Sequence, residues 1–261
     1  MYNEELAEHG IFEYLDYLNR EPSVGSRVII AVVEGKAKDY LTKKFATSDT
    51  GLYYSSLFEK NIAKGTLPKT NLHLMMYKYF SKRADPFLPL LKMKEKKVKI
   101  NGIALFKDDK YVGKIPYKQN FAFKSLVENF NSGVFPIHYG RNSAVLENVK
   151  AKRHYKVDTT SSVPKVNIDI SINGIVREYK GTINNQKVVQ VLEKEMEKQL
   201  TKDYKKILST IQELNVDPLG IGDIIRSNDR SFNISKYKDY YREMPIKTNV
   251  KVTITEFGVT K

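Results

Sequence analysis

The stretch Asn101–Gly113, NGIALFKDDKYVG, places two carboxylates between apolar flanks and raises the question of a metal or acid–base site. Asp108 and Asp109 are adjacent in the chain, so they cannot face each other across a substrate as a catalytic carboxylate pair must. A calcium loop needs several more oxygen ligands at fixed spacing and a closing glutamate, and none follows. Because Asp favours turns, the stretch predicts a β-hairpin that turns at Lys107–Lys110.

Other residue types that carry out chemistry show no productive spacing. The chain has no cysteine, which excludes disulfides, thiolate metal sites and cysteine nucleophiles. The glycines of Gly220–Asp223, GIGD, follow a predicted helix rather than a strand, which argues against a phosphate-binding loop. The histidines lack the spacing of metal ligands: His9, His73, His138 and His154. We therefore assign no catalytic, cofactor-binding or metal-binding residue, expect no cofactor, and predict that the protein is not an enzyme.

The strongest bulk property is positive charge. The 261 residues include 44 Lys+Arg and 30 Asp+Glu, for a formal net charge of +14. Such a field favours an anionic neighbour: nucleic acid, an anionic membrane surface or a cell-wall polymer. The lysines are spread along the chain, as on a solvated surface, with one dense run at Lys92–Lys97 that we interpret as a linker or exposed edge. A basic nucleic-acid-binding protein is the alternative function, although such proteins usually concentrate arginine and aromatic residues on one element.

The elements that must position these residues alternate between helices and strands in residues 1–97. Glu13–Arg20 predicts a helix, and the apolar run Val28–Val33, VIIAVV, predicts a strand covered on both faces. Two further helices are predicted around Tyr53–Ala63 and Leu72–Arg83. The aromatic residues of the second are interpreted as packing residues rather than a stacking platform for bases: Tyr77, Tyr79 and Phe80.

From residue 98 the pattern becomes that of strands. Apolar residues alternate through Val145–Val157 and through Val166–Ile172, and Asn173-Gly174 predicts a two-residue hairpin turn. The longest helix is predicted over Gln186–Asn215, with one apolar stripe that faces either a sheet or a partner helix. Asp217–Gly220 is interpreted as the cap of its exit. We predict an α+β fold with mixed or antiparallel sheets and packed helices, in which residues 98–261 form an antiparallel sheet with one long helix across it.

Three blocks of sequence resemble a known family in their order and spacing. They are Leu18–Leu41, Ile100–Ile115, and Ile211–Arg226 with Tyr241–Val259. Together they resemble the Ger(x)C family, the C subunits of spore germinant receptors in spore-forming bacteria, over nearly the whole chain. The resemblance implies that residues 1–97 are the latter part of the N-terminal Ger(x)C region and residues 98–261 the C-terminal Ger(x)C domain.

The resemblance also implies a function and a location. Family members are lipoproteins attached to the outer face of the spore inner membrane, and they assemble with integral membrane A and B subunits into a receptor for nutrient germinants. They have no known enzymatic activity, so no catalytic residue carries over. A basic face near an anionic membrane surface gains about 1 kcal/mol per nearby lysine. The expected partners are therefore the A and B subunits and that surface, and no nucleic acid; the oligomeric state stays unknown.

The start of the chain departs from the family pattern. The lipobox cysteine, the signal peptide and the first strands of the N-terminal region are missing, so Val28–Val33 is expected at an incomplete sheet edge. No apolar run approaches the roughly 18 residues of a membrane span, and the chain as given is expected to be soluble.

Overall fold

A computed structural model describes residues 1–25, 27–43, 49–95, 97–180, 186–229 and 232–257. Within these ranges the chain forms a five-stranded and a four-stranded sheet with helices packed on them, which confirms the predicted α+β class. The strands are β1 (Tyr2–Asn3), β2 (Val32–Val33), β3 (Phe87–Lys94), β4 (Lys97–Lys107), β5 (Lys110–Pro116), β6 (Phe135–Tyr139), β7 (Asn142–Asp158), β8 (Lys165–Lys180) and β9 (Ile246–Phe257). The helices are α1 (Glu4–His9), α2 (Phe12–Arg20), α3 (Ala37–Leu41), α4 (Thr50–Ala63), α5 (Leu72–Ser81), α6 (Asn120–Val127), α7 (Gln186–Glu213), α8 (Ile221–Asn228) and α9 (Ile234–Tyr240).

The first sheet has the order β1-β2-β3-β4-β5, with the first three strands parallel and the last three antiparallel. Strand β2 belongs to the VIIAVV run. Ala31 and Val33 are buried in one apolar cluster, and Ile30 and Val32 in another, so the strand is covered on both faces as predicted. The expectation that this run lies at an incomplete edge is wrong, because β1 and β3 flank β2.

The carboxylates of the KDDK stretch lie in the predicted turn between β4 and β5. Asp108 has a left-handed backbone (φ 55°) and its carboxylate lies 3.1 Å from the Lys82 ammonium. The Asp109 carboxylate accepts a 3.1 Å hydrogen bond from the backbone N–H of Phe12, at the start of α2. The turn therefore fixes the hairpin against the N-terminal helices, because each of the two carboxylates contacts a residue at the end of one of these helices.

The second sheet has the order β6-β7-β8-β9. Helix α7 confirms the predicted long helix and packs its apolar stripe on this sheet rather than on a partner helix, with Leu192, Met196, Leu200 and Tyr204 fully buried. Strands β6, β7 and β8 are antiparallel, whereas β9 runs parallel to β8. The antiparallel sheet predicted for residues 98–261 is therefore wrong at β9, and this sheet is mixed, because α7 carries the chain back across the sheet before β9 begins.

The hairpin predicted at Asn173-Gly174 is wrong, because both residues lie inside the continuous strand β8. The β7–β8 register shifts between Glu147 and Lys150, and the β8–β9 register shifts between Gly174 and Ile175. A Cβ on Gly174 would lie 3.3 Å from side-chain atoms of Leu146. The glycine thus marks an irregular, crowded point in a strand that both neighbours hold extended, rather than a turn.

The run Lys92–Lys97 joins two strands of one sheet. Lys92–Lys94 end β3, Lys97 begins β4, and Lys94 pairs with Lys97 across the hairpin, while Lys96 lies outside the described residues. The linker interpretation of this run is wrong for that reason. The proposed division between residues 97 and 98 falls inside this hairpin, and it stays a prediction.

Candidate functional site

The second sheet presents one face to α7 and the opposite face to solvent. We call the exposed side the lysine face, defined by the lysines Lys150, Lys152 and Lys156 on β7, Lys165 on β8, and Lys247 and Lys251 on β9. The strand register places them together: Ser171 lies between Lys152 and Lys251, and Asn167 lies between Lys156 and Lys247. Six lysines from three strands thus share one exposed surface.

The alternation of residues along β8 explains why this face is polar. Successive side chains of a strand point to opposite faces. Ile168, Ile170 and Ile172 are buried on the α7 side. The intervening residues, Asp169 and Ser171 among them, therefore lie on the other side, where they line up with the lysines of β7 and β9.

The charge of the lysine face is only partly neutralised. Asp169 lies 2.7 Å from the Lys156 ammonium, which lowers the pKa of this aspartate together with a hydrogen bond from Asn249. Asp158 pairs in register with Lys165. Six lysines against two aspartates leave an excess of positive charge. Neighbouring strands lie about 4.8 Å apart, so Lys152 and Lys251 are about 10 Å apart, close to the screening length at physiological salt. The face can therefore attract a flat anionic surface cooperatively.

A second polar cluster, which we call the junction, lies buried between α5, the start of β3, the α7–α8 connection and α9. Asp85 and Asp217 form its centre. The backbone N–H of Asp85 donates to the carbonyl of Asp217 (2.7 Å), and the backbone N–H of Asp217 donates to Oδ2 of Asp85 (2.6 Å). The junction thus joins the first sheet to the end of the long helix through two reciprocal hydrogen bonds.

The remaining groups of the junction contact one oxygen of each carboxylate, Oδ2, whereas the buried Oδ1 of Asp217 has no hydrogen-bond partner among the described residues. Oδ2 of Asp217 accepts hydrogen bonds from the Tyr237 hydroxyl (2.8 Å) and the Gly222 backbone N–H (2.9 Å), and Lys238 contacts Oδ2 of Asp85 at 2.6 Å. Burial raises the pKa of Asp217 and raises that of Tyr237 well above its usual value. Asp217 therefore holds the start of α8. The interpretation that Asp217–Gly220 caps the exit of α7 is wrong, because α7 ends at Glu213 and the left-handed residue after it is Asn215 (φ 53°).

A cleft of about 330 Å³ opens beside the junction. Four lysines line it, and three of them already contact protein oxygens: Lys78 with the Pro218 carbonyl, Lys82 with Asp108, and Lys238 with Asp85. Burial lowers the pKa of Lys78 to about 8. Because these three ammonium groups already bind oxygen atoms of the protein, we assign the cleft to the structural junction rather than to ligand binding.

The structure keeps the sequence-predicted candidates apart. The four histidines lie on four elements, α1, α5, β6 and β7, and within the described ranges no three metal-binding side chains come together. In GIGD, Gly220 has a left-handed backbone (φ 72°), and a Cβ on Gly222 would lie 2.6 Å from the Arg83 carbonyl. These glycines therefore serve a tight turn and a close approach of two backbones, not a phosphate.

The aromatic residues of α5 divide into packed and exposed positions. Tyr79 stacks on Phe12 with ring centroids 4.4 Å apart, which confirms the packing interpretation for this residue. Phe80 contacts the same ring edge-on at 5.9 Å but is 61% exposed, and Tyr77 is 56% exposed. The packing interpretation is therefore wrong for Tyr77.

Sequence reasoning missed both the junction and the lysine face. Asp85, Asp217 and Tyr237 are far apart in the chain, and each one alone looks like an ordinary loop or helix residue. The lysines of β7, β8 and β9 could have been found by placing every second residue of the predicted strands on one side.

Among the residues that the structure describes, no helix is long and apolar enough to cross a membrane.

Comparison with known proteins identifies the class. Residues 101–258 match the family model described as "Spore germination B3/ GerAC like, C-terminal", and residues 1–93 match "Spore germination protein N-terminal domain". The chain is 32% identical over 267 residues to the spore germination protein GerQC of Bacillus cereus, covering 100% of this chain and 74% of that protein. The crystal structure of the GerBC protein has the same fold, with a TM-score of 0.76, 18% identity, and coverage of 97% of this chain and 77% of that one.

The chain therefore belongs to the GerAC-like family of spore germination proteins. The resemblance to the Ger(x)C family, the germinant-receptor C subunits, is confirmed. That the chain is not an enzyme stays a prediction.

Proposed function

We propose that the chain acts as the C subunit of a nutrient germinant receptor and works by contact rather than by catalysis. Its contacts are the integral membrane A and B subunits, at the outer face of the spore inner membrane. Family membership supports the receptor role. The lysine face, an exposed sheet surface with six lysines, carries the proposal of a contact with the anionic membrane surface.

The chemistry of the lysine face fits a lipid surface better than a nucleic acid. Between the lysines, the described part of the face carries mostly small polar residues such as Asn167, Ser171 and Thr253, together with the imidazole of His154. Binding of single strands relies on several aromatic side chains on which successive bases stack, and one imidazole does not form such a platform. A flat surface of ammonium groups can instead meet many anionic headgroups at once, each lysine contributing about 1 kcal/mol.

Neutralising four lysines of this face is expected to abolish binding to anionic vesicles. The variant carries Lys150→Gln, Lys152→Gln, Lys247→Gln and Lys251→Gln. The loss is about 4 kcal/mol, or roughly a thousandfold in affinity, measured by co-sedimentation with phosphatidylglycerol vesicles at low salt. A matched variant neutralises four exposed lysines elsewhere: Lys36, Lys38, Lys60 and Lys118.

The matched variant should keep most of the binding, because it has the same net charge but an intact lysine face. Equal losses in both variants, or equal binding to phosphatidylcholine vesicles, would contradict the assignment of this face. Duplex DNA serves as the third probe in a filter-binding titration. Submicromolar DNA binding that persists at about 150 mM salt would favour the nucleic-acid alternative instead.

Deleting residues 98–261 from the gene is expected to abolish the germination response to nutrients without abolishing spore formation. The deletion removes β4 and β5 from the first sheet, so the four-lysine variant gives the sharper test of a surface role. Co-purification with the two integral subunits from spore inner membranes measures assembly. If the protein fractionates with soluble complexes and the deletion strain germinates normally with each nutrient, the proposed function is wrong.

A further inference from the structure

Strand β9 forms an edge of the second sheet, and α7 runs beside that edge. The carbonyl of Pro245, just before β9, accepts a hydrogen bond from the N–H of Val166 on β8. Because backbone groups alternate in direction along a strand, the odd-numbered residues at the start of β9 direct their N–H and C=O groups towards β8. Even-numbered residues direct theirs away from the sheet. The N–H groups of Val252 and Ile254 donate to the carboxylates of Glu197 (2.9 Å) and Glu193 (2.8 Å) of α7. The second half of the edge is thus occupied by glutamates.

The first half of the edge is open. Thr248 and Val250 direct their N–H groups the same way, and neither N–H has a hydrogen-bond partner among the residues described. Continuing the four-residue steps of α7 from Glu197 leads to Thr201 and Lys205. Thr201 is too short to cap a strand and donates its hydroxyl to the carbonyl of Glu197 (2.7 Å). A groove of about 510 Å³ therefore separates the helix from the free strand edge.

The groove is lined by polar residues, two cations and two apolar residues, Leu208 and Ile246. Lys205 stands on the helix side and Lys247 on the strand side, and the described lining includes no carboxylate. At the far end, Gln212 donates to the carbonyls of Tyr241 (3.0 Å) and Met244 (2.8 Å), which closes the groove. A ligand that fills this groove must therefore form hydrogen bonds with the free strand edge and neutralise the two lysines, over a stretch of only a few residues.

We infer that Ile246–Val250 is a docking edge for an extended, acidic segment of a partner protein, which adds to the second sheet as a fifth strand. Its backbone pairs with the free groups of Thr248 and Val250, and its carboxylates pair with Lys205 and Lys247. Adding a strand to an exposed sheet edge is a general mode of peptide recognition, in which main-chain hydrogen bonds give affinity and side chains give specificity.

A second copy of this chain fits the edge poorly. Two β9 strands paired antiparallel would bring Lys247 and Lys251 of both copies onto one face within cross-strand or diagonal reach, and like charges at those positions are destabilising. The glutamates on Val252 and Ile254 also prevent longer pairing. An acidic partner segment avoids the charge repulsion, and it fits beside the glutamates if its pairing ends before Val252.

The test is a selection of displayed random peptides of about 12 residues on the purified chain, followed by affinity measurement on the enriched sequences. We expect enriched peptides to be net acidic. Thr248→Pro and Lys205→Glu should each weaken their binding by about tenfold or more. Proline removes one outward N–H and is tolerated at that position of an edge strand. The matched control is Lys202→Glu, an exposed charge reversal on the same helix outside the groove, which should leave affinity unchanged.

Hydrogen exchange gives a direct readout, because the amides of Thr248 and Val250 should exchange more slowly in the complex. Should Thr248→Pro fail to fold, as judged by thermal unfolding, Lys205→Glu and the exchange data still decide. Enrichment of no acidic peptide, or equal affinity of the peptides for Lys205→Glu and Lys202→Glu, would overturn the inference. A dimer in sedimentation that Thr248→Pro dissociates would assign the edge to a second copy and overturn it as well.

Discussion

Replacing Asp217 by alanine is expected to lower the free energy of unfolding by about 3–5 kcal/mol, because the change empties the centre of the buried junction. The Tyr237 hydroxyl and the Gly222 N–H would lose their acceptor, and neither can reach water. Each buried donor left unpaired costs about 1–3 kcal/mol. Denaturant unfolding followed by circular dichroism measures the loss. The matched control is Asp239→Ala, an exposed aspartate on α9, which should change stability by less than about 0.5 kcal/mol.

The same site has a pH signature. Burial raises the pKa of Asp217, so the folded state holds this proton more tightly than the unfolded state does. The contribution of this group to stability is therefore full below the unfolded pKa, about 3.9, and is lost as pH rises through the raised folded pKa. Asp217→Asn should remove that part of the pH dependence. Identical pH profiles for the wild type and Asp217→Asn, or equal losses in Asp217→Ala and Asp239→Ala, would refute this account of the junction.

Replacing Gly102 by alanine is expected to destabilise the first sheet by about 3 kcal/mol or more. Gly102 pairs with Leu90 on one side and with Pro116 on the other, and the register shift between Leu90 and Leu91 leaves Asn101 as an extra residue. A Cβ on Gly102 would overlap the carbonyl oxygen of Ile115. The hairpin β4–β5 would have to open to accept it, which breaks strand hydrogen bonds in a buried sheet.

Thermal and denaturant unfolding of Gly102→Ala measure this effect. The matched control is Gly25→Ala, because a Cβ on Gly25 meets no atom within 4 Å and its backbone suits an ordinary residue. The control should be neutral or slightly stabilising, since alanine restricts the unfolded chain more than glycine does. A Gly102→Ala protein as stable as Gly25→Ala would mean that β4 and β5 approach each other less closely than described.

The sequence predicts the elements whose signals are local. Helix α7 and the alternation in β8 follow from apolar residues repeated within a few positions, which is the information that a single sequence carries. The turn at Lys107–Lys110 was predictable because aspartate chemistry determines it locally. The prediction of a turn at Asn173-Gly174 was wrong for the opposite reason. Its local signal is overridden by pairing of β8 with β7 and with β9, a strand about 80 residues later.

The candidate sites depend on contacts that no local pattern encodes. The junction brings Asp85 to Asp217, which are 132 residues apart, and neither carries a motif. Strand β1 is two residues long, too short for a periodic signal, yet it determines whether β2 is an edge. The lysine face needed the register of three strands before scattered lysines could be placed on one surface. Tertiary pairing, rather than propensity, decides all three.

The order of strands in the first sheet has a consequence for the chain as it is synthesised. Strand β3 pairs with β2 from the earlier part of the chain and with β4 from the later part. A growing polypeptide that has reached residue 97 contains β1, β2 and β3 but not yet β4, the strand that pairs with the free edge of β3. Synthesis proceeds at about 5–20 residues per second, so the β4–β5 hairpin follows within seconds. During that interval β3 exposes an apolar edge. The first sheet is therefore complete only after β4 and β5 have been synthesised, so the amino-terminal part of the chain cannot finish folding before the carboxyl-terminal part has begun to form.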